Sequence, residues 1–147
     1  MISSSLQDQI QKRNSQVKKG LQDLFDSFDA TQKIKNQNSQ EFQIHFDASI
    51  KRFEVLMEYS WKLLKIAAEY QGLEAPGPRP AIQEGIHLGW ITDPELWADA
   101  LSARNGSVHD YFQISKTDYL ELIENFMDSL SNTLDNIEKD LDFLTAK

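Results

Sequence analysis

The sequence predicts an all-α protein, a bundle of three long helices and two short ones, on three observations. Apolar residues recur at spacings of three and four along three long stretches, prolines and glycines punctuate the middle of the chain, and no stretch alternates with period two between turn signals. The 147 residues, 40% apolar and 26% charged, suffice for one core, so residues 1–147 are read as a single domain.

The first helix carries Leu6, Ile10, Val17, Leu21, Leu24 and Phe28 on one stripe, and the Lys-, Asn- and Gln-rich stretch Gln32 to Gln40 is the turn that follows. The second carries Phe42, Phe46, Ser49 or Ile50, Phe53, Met57, Ser60, Leu64 and Ala67, widened by Leu56, Trp61 and Leu63, and is expected to be the most buried. It must stop near Gln71, because Pro76, Pro78 and Pro80 remove donors and restrict their neighbours. Pro80 then opens a short helix through Ala81, Ile82 and Ile86, and Gly85 and Gly89 indicate that it ends soon, near His87 to Trp90. Next, either Thr92 caps with Glu95 closing a capping box, or Asp93 caps with Pro94 at the first helical position; both open a helix through Leu96, Trp97, Ala100 and Leu101. Asn105-Gly106 is read as breaking or bending it. Ile123, Phe126, Met127, Leu130, Leu134, Ile137, Leu141 and Leu144 define the C-terminal amphipathic helix.

Composition excludes several kinds of chemistry. Cysteine is absent, which removes disulfides, thiolate nucleophiles and cysteine-ligated metals. The six glycines form no phosphate-cradling loop, and neither His45 nor His87 has a companion at metal-ligand spacing, so no cofactor and no metal are expected. No apolar run is long enough to cross a bilayer and the N-terminus has no leader pattern, so the expectation is a cytoplasmic protein with no membrane contact. The net charge of −8 argues against a broad nucleic-acid-binding surface. It is unevenly spread: residues 1 to 36 hold six bases and four acids, whereas residues 117 to 147 hold eight acids and two lysines. The plainer reading is two solvated helix faces of opposite sign; the other is a partner-specific patch. The three tryptophans, Trp61, Trp90 and Trp97, are read as core rather than as stacking platforms for bases.

One segment stands apart. Arg104-Asn105-Gly106-Ser107-Val108-His109-Asp110-Tyr111 brings a permanent cation, an imidazole and a phenol within eight residues. Metal-independent RNA cleavage needs a base for the 2′-OH proton, an acid for the leaving 5′-oxygen and a cation for the charge growing on phosphorus. His109 can serve the proton transfers and Arg104 the charge; Tyr111 can stack on a base or donate a hydrogen bond. Residues five apart on an unbroken helix diverge by about 140°, so the reading requires a bend at Gly106 or a complementary residue from a second copy.

The order and spacing of Ser60-Trp61-Lys62-Leu63-Leu64-Lys65, Pro78-Arg79-Pro80-Ala81-Ile82, Gly89-Trp90-Ile91, Trp97 and Arg104-Asn105-x-x-x-His109-x-Tyr111 resemble the nucleotidyltransferase substrate-binding protein family of the HEPN superfamily. The resemblance implies an up-and-down helical bundle forming a homodimer, assembled with a cognate minimal nucleotidyltransferase. In the family's toxin branch it further implies a metal-independent endoribonuclease, part of a toxin–antitoxin pair. Arg104 and His109 become the catalytic pair in a cleft at the dimer interface, with Asn105 and Tyr111 supporting or contacting RNA. Tyr111 matches the tyrosine to which the partner transfers AMP, silencing the toxin. Other family members are described as substrate-binding subunits, so a non-catalytic adaptor is the alternative.

Overall fold

The computed structural model describes the backbone of residues 2–110 and 115–144 and the side chains of residues 5–105 and 115–144. It contains five α-helices and, among the described residues, no strand: α1 Ile2–Gln32, α2 Gln40–Tyr70, α3 Pro78–His87, α4 Pro94–Asp110 and α5 Lys116–Asp140, followed by a 3₁₀ turn at Asp142–Leu144. The all-α expectation is met, with three long and two short helices.

Helices α1 and α2 form an antiparallel hairpin. At one end the Gln7 amide donates to the Tyr70 hydroxyl (2.9 Å), and at the other Ser27 and Ser49 hydroxyls meet at 2.9 Å, with Thr31 bonded to both Ser49 Oγ and the Ser27 carbonyl. These small side chains let the two helices approach closely and satisfy their own polar atoms in a buried site. The turn between them is tied by the Asn38 N–H donating to Asn36 Oδ1, and Ser39 caps α2 by accepting from the Phe42 N–H at 3.0 Å.

Helix α2 is the centre of the bundle, burying residues on both of its flanks from Phe42 to Ala68. Tyr119 of α5 meets Phe46 and Phe53 edge-on, and Phe126 meets both Phe53 and Trp97. The order of these contacts shows that α2 and α5 run in the same direction, so α3 and α4 together return the chain from the end of α2 to the start of α5. Trp97 is fully buried and its indole Nε1 donates to Ser129 Oγ (3.0 Å); Trp90 Nε1 donates to Asp140 Oδ2 (2.6 Å). Both are core residues with a satisfied N–H, as expected.

Two glycines close helices. In each case the glycine N–H and the next residue's N–H return to carbonyls of the last turn: Gly72 to Glu69 and Leu73 to Ala68, Gly89 to Ile86 and Trp90 to Gly85. Both glycines have positive φ, 87° and 79°, the left-handed conformation this closure requires. Helix α3 begins at Pro78, two residues before Pro80, and ends at His87, within the expected span of His87 to Trp90, with Gly85 inside it. A Cβ there would lie 2.9 Å from Ile91 Cδ1 and 3.1 Å from Leu64 Cδ2, so the position is glycine because α3 packs tightly there, not because the helix ends.

Helix α4 opens at Pro94, which makes Pro94 the first helical residue and selects the second of the two starting arrangements. It then continues through Asn105 and Gly106 to Asp110, so the expected break does not occur.

Candidate functional site

Arg104 leaves the C-terminal half of α4 and lies across α2. Its Nη2 donates to both oxygens of Glu58, at 2.7 Å to Oε1, and its Nη1 donates to Asn105 Oδ1 at 2.7 Å. Glu58 is fixed from a second side, because Trp61, one turn further along α2, donates its indole N–H to Oε2 at 2.9 Å. Lys62 sits 5.9 Å from the centre of the Trp61 ring. The guanidinium is thus oriented by a charge-assisted contact between two helices, with roughly a quarter of its side-chain surface exposed.

These groups border an open groove of about 360 Å³ lined by Lys51, Glu54, Val55, Glu58, Arg104 and Asn105. Two cations face two carboxylates, so the groove is balanced in charge rather than positive. Its acidity is much lower than that of the outer face of α5.

Of the residues that the sequence singled out, the structure brings Arg104 and Asn105 into direct contact. His109 is on the same unbroken helix, and five residues of helix set positions 104 and 109 about 7.5 Å apart along the axis and about 140° apart around it. Within one chain the helix therefore does not converge these two positions. The side chain of His109 and the whole of Tyr111 lie outside the described residues.

Glu58 is the member of the site that sequence reasoning missed. Its only local signal is the three-residue spacing to Trp61; its pairing with Arg104 spans 46 positions and depends on how α4 crosses α2.

Elsewhere, His87 is exposed and lies 3.2 Å from Glu84 on its own helix. Among the described residues no group of three or more His, Asp or Glu side chains is arranged to hold a metal ion, and no helix is long and apolar enough to cross a membrane.

No curated protein is significantly similar to the chain. A family model described as "Nucleotidyltransferase substrate binding protein like" matches residues 5–139, which takes in all of α2, α3 and α4, nearly all of α5 and every element that builds the Arg104 groove. With that match over almost its full length, the chain belongs to the nucleotidyltransferase substrate-binding-like protein family.

Proposed function

We propose that this protein is a metal-independent endoribonuclease, the toxin of a pair whose antitoxin is a cognate minimal nucleotidyltransferase, working as a homodimer with Arg104 and His109 of the two copies sharing one cleft. The observation that carries this reading is the anchoring of Arg104: an oriented guanidinium at the edge of an open groove is the group needed to neutralise charge on a phosphorane. In the reaction, one His109 imidazole takes the 2′-OH proton, and the 2′-oxygen attacks phosphorus. The 5′-oxygen leaves with a proton from the other copy's imidazolium, giving a 2′,3′-cyclic phosphate and a 5′-hydroxyl. AMP transferred to Tyr111 would put a bulky, negatively charged group two residues from His109, blocking RNA and attracting Arg104.

Two features support the two-copy arrangement. An unbroken α4 does not converge positions 104 and 109, which favours a cleft completed by a second chain. On α2, Ile44, Ala48, Lys51, Val55 and Glu58 follow one another at spacings of four and three, the spacing of a helix–helix seam. Ile44 and Val55 are 60% and 37% exposed, so the same face on two copies can bury apolar side chains across a two-fold axis.

The second reading is a non-catalytic subunit that presents a substrate, or Tyr111, to the nucleotidyltransferase. The Glu58 carboxylate favours it, because it already neutralises the cation that RNA would need. The decisive experiment compares RNA cleavage, with chelator present, by wild type, Arg104→Ala and His109→Ala. Loss of cleavage in both variants, together with growth arrest when the wild type is expressed alone, supports the ribonuclease. Equal behaviour of all three proteins leaves the adaptor. A mass increase of AMP on Tyr111 after incubation with the partner and ATP tests the silencing step.

A further inference from the structure

On the side formed by α1 and α5, a groove of about 350 Å³ has an apolar floor of Leu21, Met127 and Leu134 and a wall made by Phe25. Phe25 is 50% exposed, the most exposed aromatic ring among the described residues. Asp128 and Asp135 stand on the α5 rim, seven residues apart, which places them two turns or about 10.5 Å from each other. Lys18 closes one end, and its charge is already taken by Glu138 at 2.6 Å. The acidity extends along most of the helix: between Lys116 and Lys139 the chain has six acids and no base, and five of the six (Asp118, Glu121, Glu124, Asp128 and Asp135) make no ion pair among the described residues.

A merely solvated acidic face does not need an exposed phenyl ring over an apolar trough. The combination has the chemistry of a helix-receiving groove, in which apolar anchors supply affinity and the charged rim selects the partner and its direction. We propose that the α1–α5 groove docks a basic amphipathic helix from another protein, with a large apolar side chain seated against Phe25 and Leu134 and Lys or Arg residues placed two turns apart over Asp128 and Asp135. The volume holds one or two large side chains, and the uncompensated carboxylates demand cations. This surface is separate from the Arg104 groove, so the proposal stands whether or not the protein cuts RNA.

The test uses a fluorescently labelled synthetic peptide of Leu and Lys arranged as an amphipathic helix, and a second peptide of the same composition scrambled to destroy the apolar face. Binding to the full-length protein is followed by anisotropy at two salt concentrations. The expected result is at least tenfold tighter binding of the amphipathic peptide. Phe25→Ser should remove most of that preference, and Asp128→Asn with Asp135→Asn should weaken binding several-fold and flatten its salt dependence. Both variants change exposed residues, and their circular dichroism and melting should match wild type. Equal binding of the two peptides, binding indifferent to Phe25→Ser, or no binding overturns the proposal. So does a sedimentation result in which Phe25→Ser converts a dimer to a monomer, since the occupant is then a second copy of this chain.

Discussion

Glu58 of α2 and Arg104 of α4 are locked together by hydrogen bonds from one guanidinium nitrogen to both carboxylate oxygens. The pair is a polar link between these helices, and it fixes the group that the proposed chemistry depends on. Both side chains are nearly a third exposed, so its contribution to stability is small, about 1 kcal/mol or less. Glu58→Gln should therefore melt within about 4 °C of wild type. In the ribonuclease reading the same variant should cut RNA about tenfold more slowly, because Arg104 loses its orientation, and Arg104→Lys should fail similarly because an ammonium cannot make the forked contact. Cleavage unchanged in Glu58→Gln would show that Glu58 does not orient Arg104, and faster cleavage would identify it as a restraint on the cation.

How much of this was legible in the sequence depended on how far apart the cooperating residues are. The limits of α2 were readable because local features set them: Ser39 caps one end, and Gly72 and the prolines close the other. The α1 stripe and the burial of Trp90 and Trp97 followed from periodicity and composition, whereas Trp61, also read as core, is only partly buried. The end of α3 falls where expected, but Gly85 sits inside the helix, and Gly106 does not break α4. A glycine inside a helix costs only about 1 kcal/mol, a local penalty that the packing around α3 outweighs. At Gly85 that packing is the close approach of Leu64 and Ile91. The partnership of Glu58 with Arg104 had no local trace at all, and it decides the electrostatics of the candidate site.

The Trp97–Ser129 contact offers a direct measure of the core. Trp97 is fully buried, stacks edge-on with Phe126 at 4.9 Å between ring centres, and donates to Ser129. Trp97→Phe keeps an aromatic ring but loses the N–H, leaving the Ser129 hydroxyl without that donor, and should cost about 1–3 kcal/mol in urea unfolding. Trp97→Ala adds a cavity and should cost about 3–5 kcal/mol. Adding Ser129→Ala to Trp97→Phe should recover part of the loss, since the stranded hydroxyl goes with it.

Gly85→Ala separates helix propensity from packing. An alanine inside α3 gains up to about 1 kcal/mol of propensity, but its Cβ meets Ile91 and Leu64, both almost fully buried and with little room to move. Overpacking of this kind costs about 1–3 kcal/mol, so the net effect should be a destabilisation of about 1 kcal/mol. Ile91→Val, which shortens the nearer side chain, should make the alanine less harmful when the two changes are combined. An equally stable or more stable Gly85→Ala protein would mean that α3 shifts freely against α2.

The acid limb of stability should report on Glu138, which joins α5 to α1. Burial raises its pKa, but hydrogen bonds from Lys18 and Asn14 and the Lys18 charge outweigh burial and hold it below the ordinary 4.5. A carboxyl with a depressed folded pKa stabilises the protein fully above its unfolded pKa and loses that contribution as pH falls through the folded value. Wild type should therefore be more stable than Glu138→Gln at neutral pH, with the advantage constant down to about pH 5 and shrinking below it. Lys18→Met should reduce the same advantage, because it removes the strongest of the groups that lower the pKa. Urea midpoints measured for the three proteins from pH 7 to pH 3 would show this convergence, and curves that stay parallel through the acid range would mean that Glu138 titrates alike in the folded and unfolded chains.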